Sequence, residues 1–193
     1  MGLGQLSYLR GFENNLRLLY LFRRNKALLM AVAKKGFTSP SKIQAQALPM
    51  LLSSRRPNMR GQAQHGSGKT ATYVLAMLML CKEEMQCPQA VCICPARELT
   101  LQVGEVVKDL GQFTKLKVYI SVPGSQERQI TEQIVVGTPG WVHCLFSPSC
   151  ISCPSHLVCC CCPFFYMDQF DRVQDQAQVP EHVQNRHLRR GRG

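Results

Sequence analysis

The first sixty residues carry almost no negative charge: eleven Lys or Arg stand there against the single Glu13, whereas residues 61–146 balance seven basic against seven acidic side chains. Over all 193 residues the formal charge is +11, which suits a polyanionic partner. An acid-poor, Arg-rich start also fits a mitochondrial presequence. Long apolar runs are missing as well. The stretch Leu16-Arg17-Leu18-Leu19-Tyr20-Leu21-Phe22 stops at Arg23-Arg24-Asn25-Lys26, so nothing reaches the roughly 18 apolar residues of a membrane-spanning helix. No membrane span is expected. There is no internal repeat and no clear secretory signal, which argues against a disulfide framework for the cysteines.

What is present is concentrated in a few places. Ala63-Gln64-His65-Gly66-Ser67-Gly68-Lys69-Thr70 follows the Gly-x-x-x-x-Gly-Lys-Thr phosphate-loop pattern with Ala63 at the first glycine, and it leads into the apolar run Tyr73–Leu80. Glycines allow successive backbone N–H groups to point at phosphate oxygens, and the positive end of the following helix adds to the attraction. Lys69 then reaches the outer phosphates and Thr70 ligates Mg²⁺, which makes Gly66, Ser67, Gly68, Lys69 and Thr70 the candidate nucleotide contacts.

Alternation of helix and strand is expected around this loop. Helices should run from Pro40-Ser41 to Leu52, from the loop onward, and from Arg97 to Leu110. Strands fit Ala90–Cys94, Lys117–Val122 and Gln133–Val136, whose nearly continuous apolar character suits a parallel sheet covered on both faces. The expected class is α/β, with the nucleotide at the carboxyl ends of the strands. The strand feeding the loop is the exception, because Arg60 stands where an aliphatic side chain is expected. Either Arg60 reaches the surface or a buried unpaired charge costs several kcal/mol.

Further motifs flank the loop: Gly36-Phe37-Thr38-Ser39-Pro40-Ser41-Lys42-Ile43-Gln44 before it, then Pro95-Ala96-Arg97-Glu98-Leu99-Thr100-Leu101-Gln102 and Gly137-Thr138-Pro139-Gly140 after it. In this order they resemble the Q motif and motifs I, Ia and Ib of DEAD-box ATP-dependent RNA helicases, over Gly36 to Trp141. Asn58, the Ala47-Leu48-Pro49-Met50 stretch and Glu132–Gly140 look most like the mRNA-export branch. The resemblance implies a RecA-like domain with ATP and Mg²⁺ as ligands. It also implies RNA as partner, mRNA-export or translation-factor proteins as further partners, and a place in the cytoplasm, the nucleus or both. A primary amide such as Gln44 offers one donor and one acceptor group, the pattern that pairs with an adenine edge. Taken alone, Gln44 reads first as a helix-start residue after a Ser-Pro turn, and only its position before the phosphate loop reverses that. Arg97, Thr138, Pro139 and Gly140 would contact the sugar–phosphate chain of RNA, which gives affinity without sequence choice. Glu98 would brace that face.

Departures from the family pattern follow. Tyr20 and Phe22 are shifted candidates for the family's upstream aromatic, Pro123-Gly124-Ser125 replaces its Gly-Gly motif, and Trp141 stands where an Arg often follows motif Ib. The Asp-Glu-Ala-Asp box has a degenerate counterpart in Asp168-Gln169-Phe170-Asp171. Asp168 either holds Mg²⁺ through water beside Lys69 or simply ends an apolar segment. An amide at Gln169 cannot take a proton from the attacking water, so hydrolysis is expected to be impaired even where ATP binds. No Ser-Ala-Thr motif follows in these 193 residues, and no second RecA-like domain with arginine fingers is expected among them, so unwinding by them alone is expected to fail too.

Seven of the eleven cysteines lie between Cys144 and Cys162. Cys150-x-x-Cys153 and Cys159-x-x-Cys162, with His156 between them, supply the minimum for tetrahedral zinc, though the five-residue gap is short for a zinc ribbon. The alternative is a divergent or aberrantly spliced Cys- and Pro-rich segment never shaped as a core. The expected division is a basic amphipathic segment at 1–33, a partial RecA-like ATP-binding domain at 34–146, and a Cys-rich segment with a disordered basic tail at 147–193. Function then divides four ways: an ATP- and RNA-binding helicase-like domain with impaired turnover, a non-catalytic fragment occupying helicase partners, a zinc-holding RNA module, or a chain that does not fold stably.

Overall fold

The computed structural model describes residues 8, 10, 22, 23, 25–53, 58–124, 130–140 and 142, and the strand backbones at 158–161 and 165–169. Among the described residues, helices α1 (Lys26–Lys34), α2 (Lys42–Leu51), α3 (Lys69–Leu80) and α4 (Arg97–Gly111) accompany six strands. The strands are β1 (Met59–Gly61), β2 (Ala90–Ile93), β3 (Val118–Ser121), β4 (Ile134–Gly137), β5 (Val158–Cys161) and β6 (Phe165–Gln169). They form one sheet in the order β1-β6-β5-β2-β4-β3.

β2, β3, β4 and β5 pair in parallel, with Ala90 opposite both Ile134 and Val158 and with Val118 opposite Ile134. β6 departs from the expected parallel sheet, pairing antiparallel with both β1 and β5. Two reversals leave β1 running in the same direction as β2, so the carboxyl ends of β1, β2 and β4 share one edge. The Cys-rich stretch expected to be irregular therefore contributes two strands. Cys159, Cys160 and Cys161 lie in β5, while Cys150, Cys153, His156 and Cys162 fall outside the described residues. Among the described residues no group of His, Cys, Asp or Glu is arranged to hold a metal ion.

Side chains alternate across a strand, and here both faces are covered. Ala90, Cys92, Ile134 and Val136 join the larger core with the helices. Val91 and Val135, opposite one another in register, join Ile130 and Val142 on the other face. Helix α3 is buried at every position from Ala71 to Leu78, which explains why its sequence is apolar all round and lacks a polar stripe. Truncating fully buried Leu75 to Ala is worth about 2–5 kcal/mol at such a site. α2 packs on α3 and β1, and α4 packs on α3, β3 and β4.

α1 begins at Asn25, whose side chain accepts a hydrogen bond from Leu28 N–H at 3.2 Å. It crosses the boundary expected at residue 33 and packs against α4. Tyr8, Phe22, Leu28, Leu29 and Val32 lie in the same core as the phosphate-loop helix. Arg60 is exposed on β1, so the sequence conflict is relieved by the side chain reaching the surface at the edge of the sheet. Among the described residues, no helix is long and apolar enough to cross a membrane.

Candidate nucleotide and RNA site

The loop between β1 and α3 has the backbone that its glycines predict. Gly66 and Gly68 both take left-handed conformations, at φ +73° and +89°, where an L side chain is strained. Gly68 is the N-cap of α3, and its carbonyl accepts from Thr72 N–H at 3.0 Å and from the Thr72 hydroxyl at 2.8 Å. Lys69 folds back over the loop, donating from Nζ to the Gln64 carbonyl at 2.7 Å and also to the Ala63 carbonyl. Above Gly66 a side chain would meet nothing within 4 Å. The Ser67 hydroxyl is buried without a hydrogen-bond partner. Open space at Gly66, the Lys69 ammonium group on the loop and an orphan Ser67 hydroxyl fit a polyphosphate chain.

Gln44 comes to this loop from α2. Ser41 and Gln44 form a complete capping box at the start of that helix: Gln44 N–H donates to Ser41 Oγ at 3.4 Å, and Ser41 N–H donates to Gln44 Oε1 at 3.1 Å. Gln44 is 4% exposed, and a side-chain carbon at Gly68 would lie 3.0 Å from both Gln44 Nε2 and Ser41 Oγ. The Ser-x-x-Gln spacing was legible in the sequence; its seat against Gly68 was not.

Arg97 and Thr138 are brought to the same edge of the sheet by β2 and β4. Ile93 is opposite Gly137, and Cys94 N–H donates to the Gly137 carbonyl at 2.8 Å. Arg97 opens α4 and is exposed, as are Glu98, Pro139 and Gly140, with Thr138 half-buried. Val142 N–H donates to the Thr138 carbonyl at 2.9 Å, closing a helical turn over Pro139 and Gly140. Gly137 cannot carry a side chain without collision: a Cβ there would lie 2.6 Å from Val142 Cγ2 and 2.9 Å from Ser121 Cβ.

Asp168 is not brought to the loop. β6 runs against β1, with Phe165 opposite Gly61 and Met167 opposite Met59. The Asp168 backbone is thus three residues, about 10 Å, along the strand from the end at which the loop begins. The physical reason is the antiparallel pairing of β6 with both β5 and β1, which sends Asp168 towards the amino end of β1.

Of the aromatic candidates, Phe22 is fully buried and packs edge-on against Tyr8, at 5.8 Å between ring centroids and 78° between planes. Tyr20 and Trp141 fall outside the described residues. Sequence reasoning missed Tyr8, whose hydroxyl donates to Gln44 Oε1 at 3.2 Å. It stands 36 residues upstream, and no local pattern announces the pair.

A sheet of mainly same-direction strands with a glycine phosphate loop opening a buried helix at its carboxyl edge defines a RecA-like nucleotide-binding domain. The DEAD/DEAH box helicase profile matches residues 41–190, and the chain belongs to that family. Among its relatives, the ATP-dependent RNA helicase DBP5 of Saccharomyces cerevisiae is 40% identical over 151 residues, which cover 77% of this chain and 30% of the relative. The human ATP-dependent RNA helicase DDX19A is 46% identical over 124 residues, covering 62% of this chain and 26% of the relative. The structure of S. cerevisiae Dbp5 bound to RNA and ADP BeF3 superposes with a TM-score of 0.67 at 41% identity, covering 70% of this chain and 35% of that one. Another, of a Dbp5 variant bound to Nup159, a Gle1 variant, IP6 and ADP, covers 79% of this chain and 40% of that one, with a TM-score of 0.67. These relatives are of the branch that the motifs resemble. The chain spans well under half of their length.

Proposed function

We propose that this chain is an ATP- and RNA-binding domain of the DEAD-box helicase type that binds without efficient turnover. One observation carries the nucleotide half: Gln44 is held by its capping box directly against Gly68 of the phosphate loop, so a base reader and a phosphate cradle form one site. Gly66, Ser67, Gly68 and Lys69 hold the phosphates, Thr70 holds Mg²⁺, and Gln44 contacts the base. ATP supplies a phosphoanhydride as substrate, and Lys69 leaves the Ala63 and Gln64 carbonyls to reach its outer phosphates. Arg97, Thr138, Pro139 and Gly140, exposed or half-buried on the edge next to β2 and β4, take the RNA backbone. The RNA and ADP BeF3 bound to the similar Dbp5 structure support nucleotide and RNA as the two ligands.

Weak turnover is supported by the position of Asp168 at the far end of β1 and by an amide at Gln169. A carboxylate there would be needed to orient and activate water. The Nup159- and Gle1-bound relative suggests mRNA-export proteins as partners, acting where nucleus meets cytoplasm. The second reading is a non-catalytic fragment that occupies such partners.

The test is a titration of a fluorescent non-hydrolysable ATP analogue into the folded chain and its Lys69→Ala variant, followed by phosphate release with and without RNA. Saturable, Mg²⁺-dependent binding that Lys69→Ala abolishes, with phosphate release near background, supports the proposal. Absence of binding by the folded chain removes it, and RNA-stimulated hydrolysis at a rate typical of helicases removes its non-catalytic part.

A further inference from the structure

We infer that Tyr8 is a specificity-determining residue: by occupying the second acceptor position of Gln44 it leaves that amide only its N–H groups to offer a base, so guanine is accepted nearly as well as adenine. The inference rests on the nucleotide site proposed above and specifies which bases it takes.

The orientation of the amide follows from its partners. Ser41 N–H can only donate, so the Gln44 atom facing it at 3.1 Å is the carbonyl oxygen. The Tyr8 hydroxyl reaches the same oxygen at 3.2 Å, in a contact buried from solvent. A carbonyl oxygen has two lone pairs, and these two donors use both. Nε2 is the amide atom beside the loop, 3.0 Å from where a side chain at Gly68 would begin.

The consequence is a matter of donor and acceptor patterns. Adenine presents N7 as acceptor and its 6-amino group as donor; guanine presents N7 and O6, both acceptors. An amide with both faces free matches adenine alone, because it can donate to N7 and accept from the amino group. With its oxygen saturated, Gln44 can donate to N7 of either purine and has no acceptor left for the adenine amino group. Tyr8 is well placed to persist in this role. Its ring is fully buried, the edge of Phe22 lies against it, and burial raises its hydroxyl above the ordinary range so that the group stays protonated and donating.

The experiment displaces a fluorescent ATP analogue from the full chain with ATP, GTP, 7-deaza-ATP and tripolyphosphate, in the native protein and in Tyr8→Phe, which keeps the ring. Tyr8→Met serves as a second variant should Tyr8→Phe fold poorly. Native protein should prefer ATP over GTP by less than about threefold and bind 7-deaza-ATP more weakly than ATP. Loss of the hydroxyl should raise the ATP preference by about fivefold, the scale of one neutral hydrogen bond, with little change for GTP. A strong ATP preference in native protein, or a ratio that neither Tyr8 variant shifts, overturns the inference while leaving the phosphate loop intact. If none of the four competitors binds, the nucleotide site falls and this inference falls with it. A merely structural role for Tyr8 would weaken all nucleotides together and leave their ratio unchanged.

Discussion

Gly137 and Ser121 stand side by side at the ends of β4 and β3, so close that a Cβ on the glycine would lie 2.9 Å from Ser121 Cβ and 3.1 Å from the Ser121 carbonyl oxygen. The third neighbour, Val142 Cγ2 at 2.6 Å, belongs to the turn after Thr138. Backbone on one side and a short β-branched side chain on the other leave little room to yield. Gly137→Ala should cost about 2–3 kcal/mol as overpacking and displace the Thr138–Gly140 turn. At Gly104 the crowding comes from Ile120 Cδ1 and Cγ1, at 2.5 and 2.9 Å, and the end of a flexible side chain can move. Urea unfolding should therefore rank Gly137→Ala as more destabilising than Gly104→Ala, and RNA affinity should fall only in the former.

The two left-handed glycines of the phosphate loop should separate in the same way. Gly66 faces open space, so Gly66→Ala adds only the strain of its φ, about 1 kcal/mol. Gly68→Ala adds that strain and also pushes against Gln44 Nε2 and Ser41 Oγ, each 3.0 Å from the new carbon. Nucleotide titration should show Gly68→Ala losing clearly more affinity than Gly66→Ala. Equal losses would mean that the Gln44–loop contact has no bearing on binding.

Much of this architecture could be read in advance because its signals are local. Gly-x-Gly-Lys-Thr before an apolar run gives the loop and α3, Ser41-x-x-Gln44 gives the start of α2, and the apolar runs at 90–94, 117–122 and 133–136 give three strands, β2 and β4 buried and β3 half-buried. What escaped depends on contacts distant in sequence or on chain direction. Arg60 looked misplaced because its short run of residues does not reveal an edge strand with an exposed position. Asp168 stood open between a water-mediated Mg²⁺ carboxylate and the end of an apolar segment, because spacing along the chain does not reveal that β6 pairs antiparallel with β1 and β5. Tyr8 was invisible because a phenol in a basic leader gives no hint of an amide 36 residues away.

Gln133 knots together the amino ends of three strands, with its side chain 4% exposed. Its Oε1 accepts from Lys117 N–H at 2.9 Å, its Nε2 donates to the Met85 carbonyl at 2.8 Å, and its backbone carbonyl accepts from Gln89 N–H at 2.8 Å and Ala90 N–H at 3.0 Å. Gln133→Leu keeps the volume and strands two backbone groups, so it should cost about 2–4 kcal/mol. By contrast, Lys35 and Asp109 join α1 to α4 across the surface with side chains 42% and 51% exposed. Asp109→Ala should cost less than about 1 kcal/mol, and added salt should shrink that further. Thermal unfolding of the two variants side by side measures the contrast.

Cys81, at the end of α3, gives the fold a dependence on alkaline pH. Burial, with a smaller contribution from nearby Cys87, pushes its thiol from an ordinary value near 9 up to about 12, and its S–H points to the Gln133 carbonyl at 4.0 Å. A folded-state value above the unfolded one means that the unfolded chain releases this proton first. The stabilisation is complete below about pH 9 and is lost as pH rises towards 12. Burial of the Tyr8 hydroxyl acts in the same direction at still higher pH. The thiolate is the form that reacts with alkylating reagents, so in folded protein at pH 8 the Cys81 peptide should be alkylated far more slowly than after unfolding in urea. Peptide mass spectrometry over a time course reads this directly. A Cys81 that reacts equally fast in both states would show that the end of α3 opens to solvent, and the alkaline loss of stability should then vanish with it.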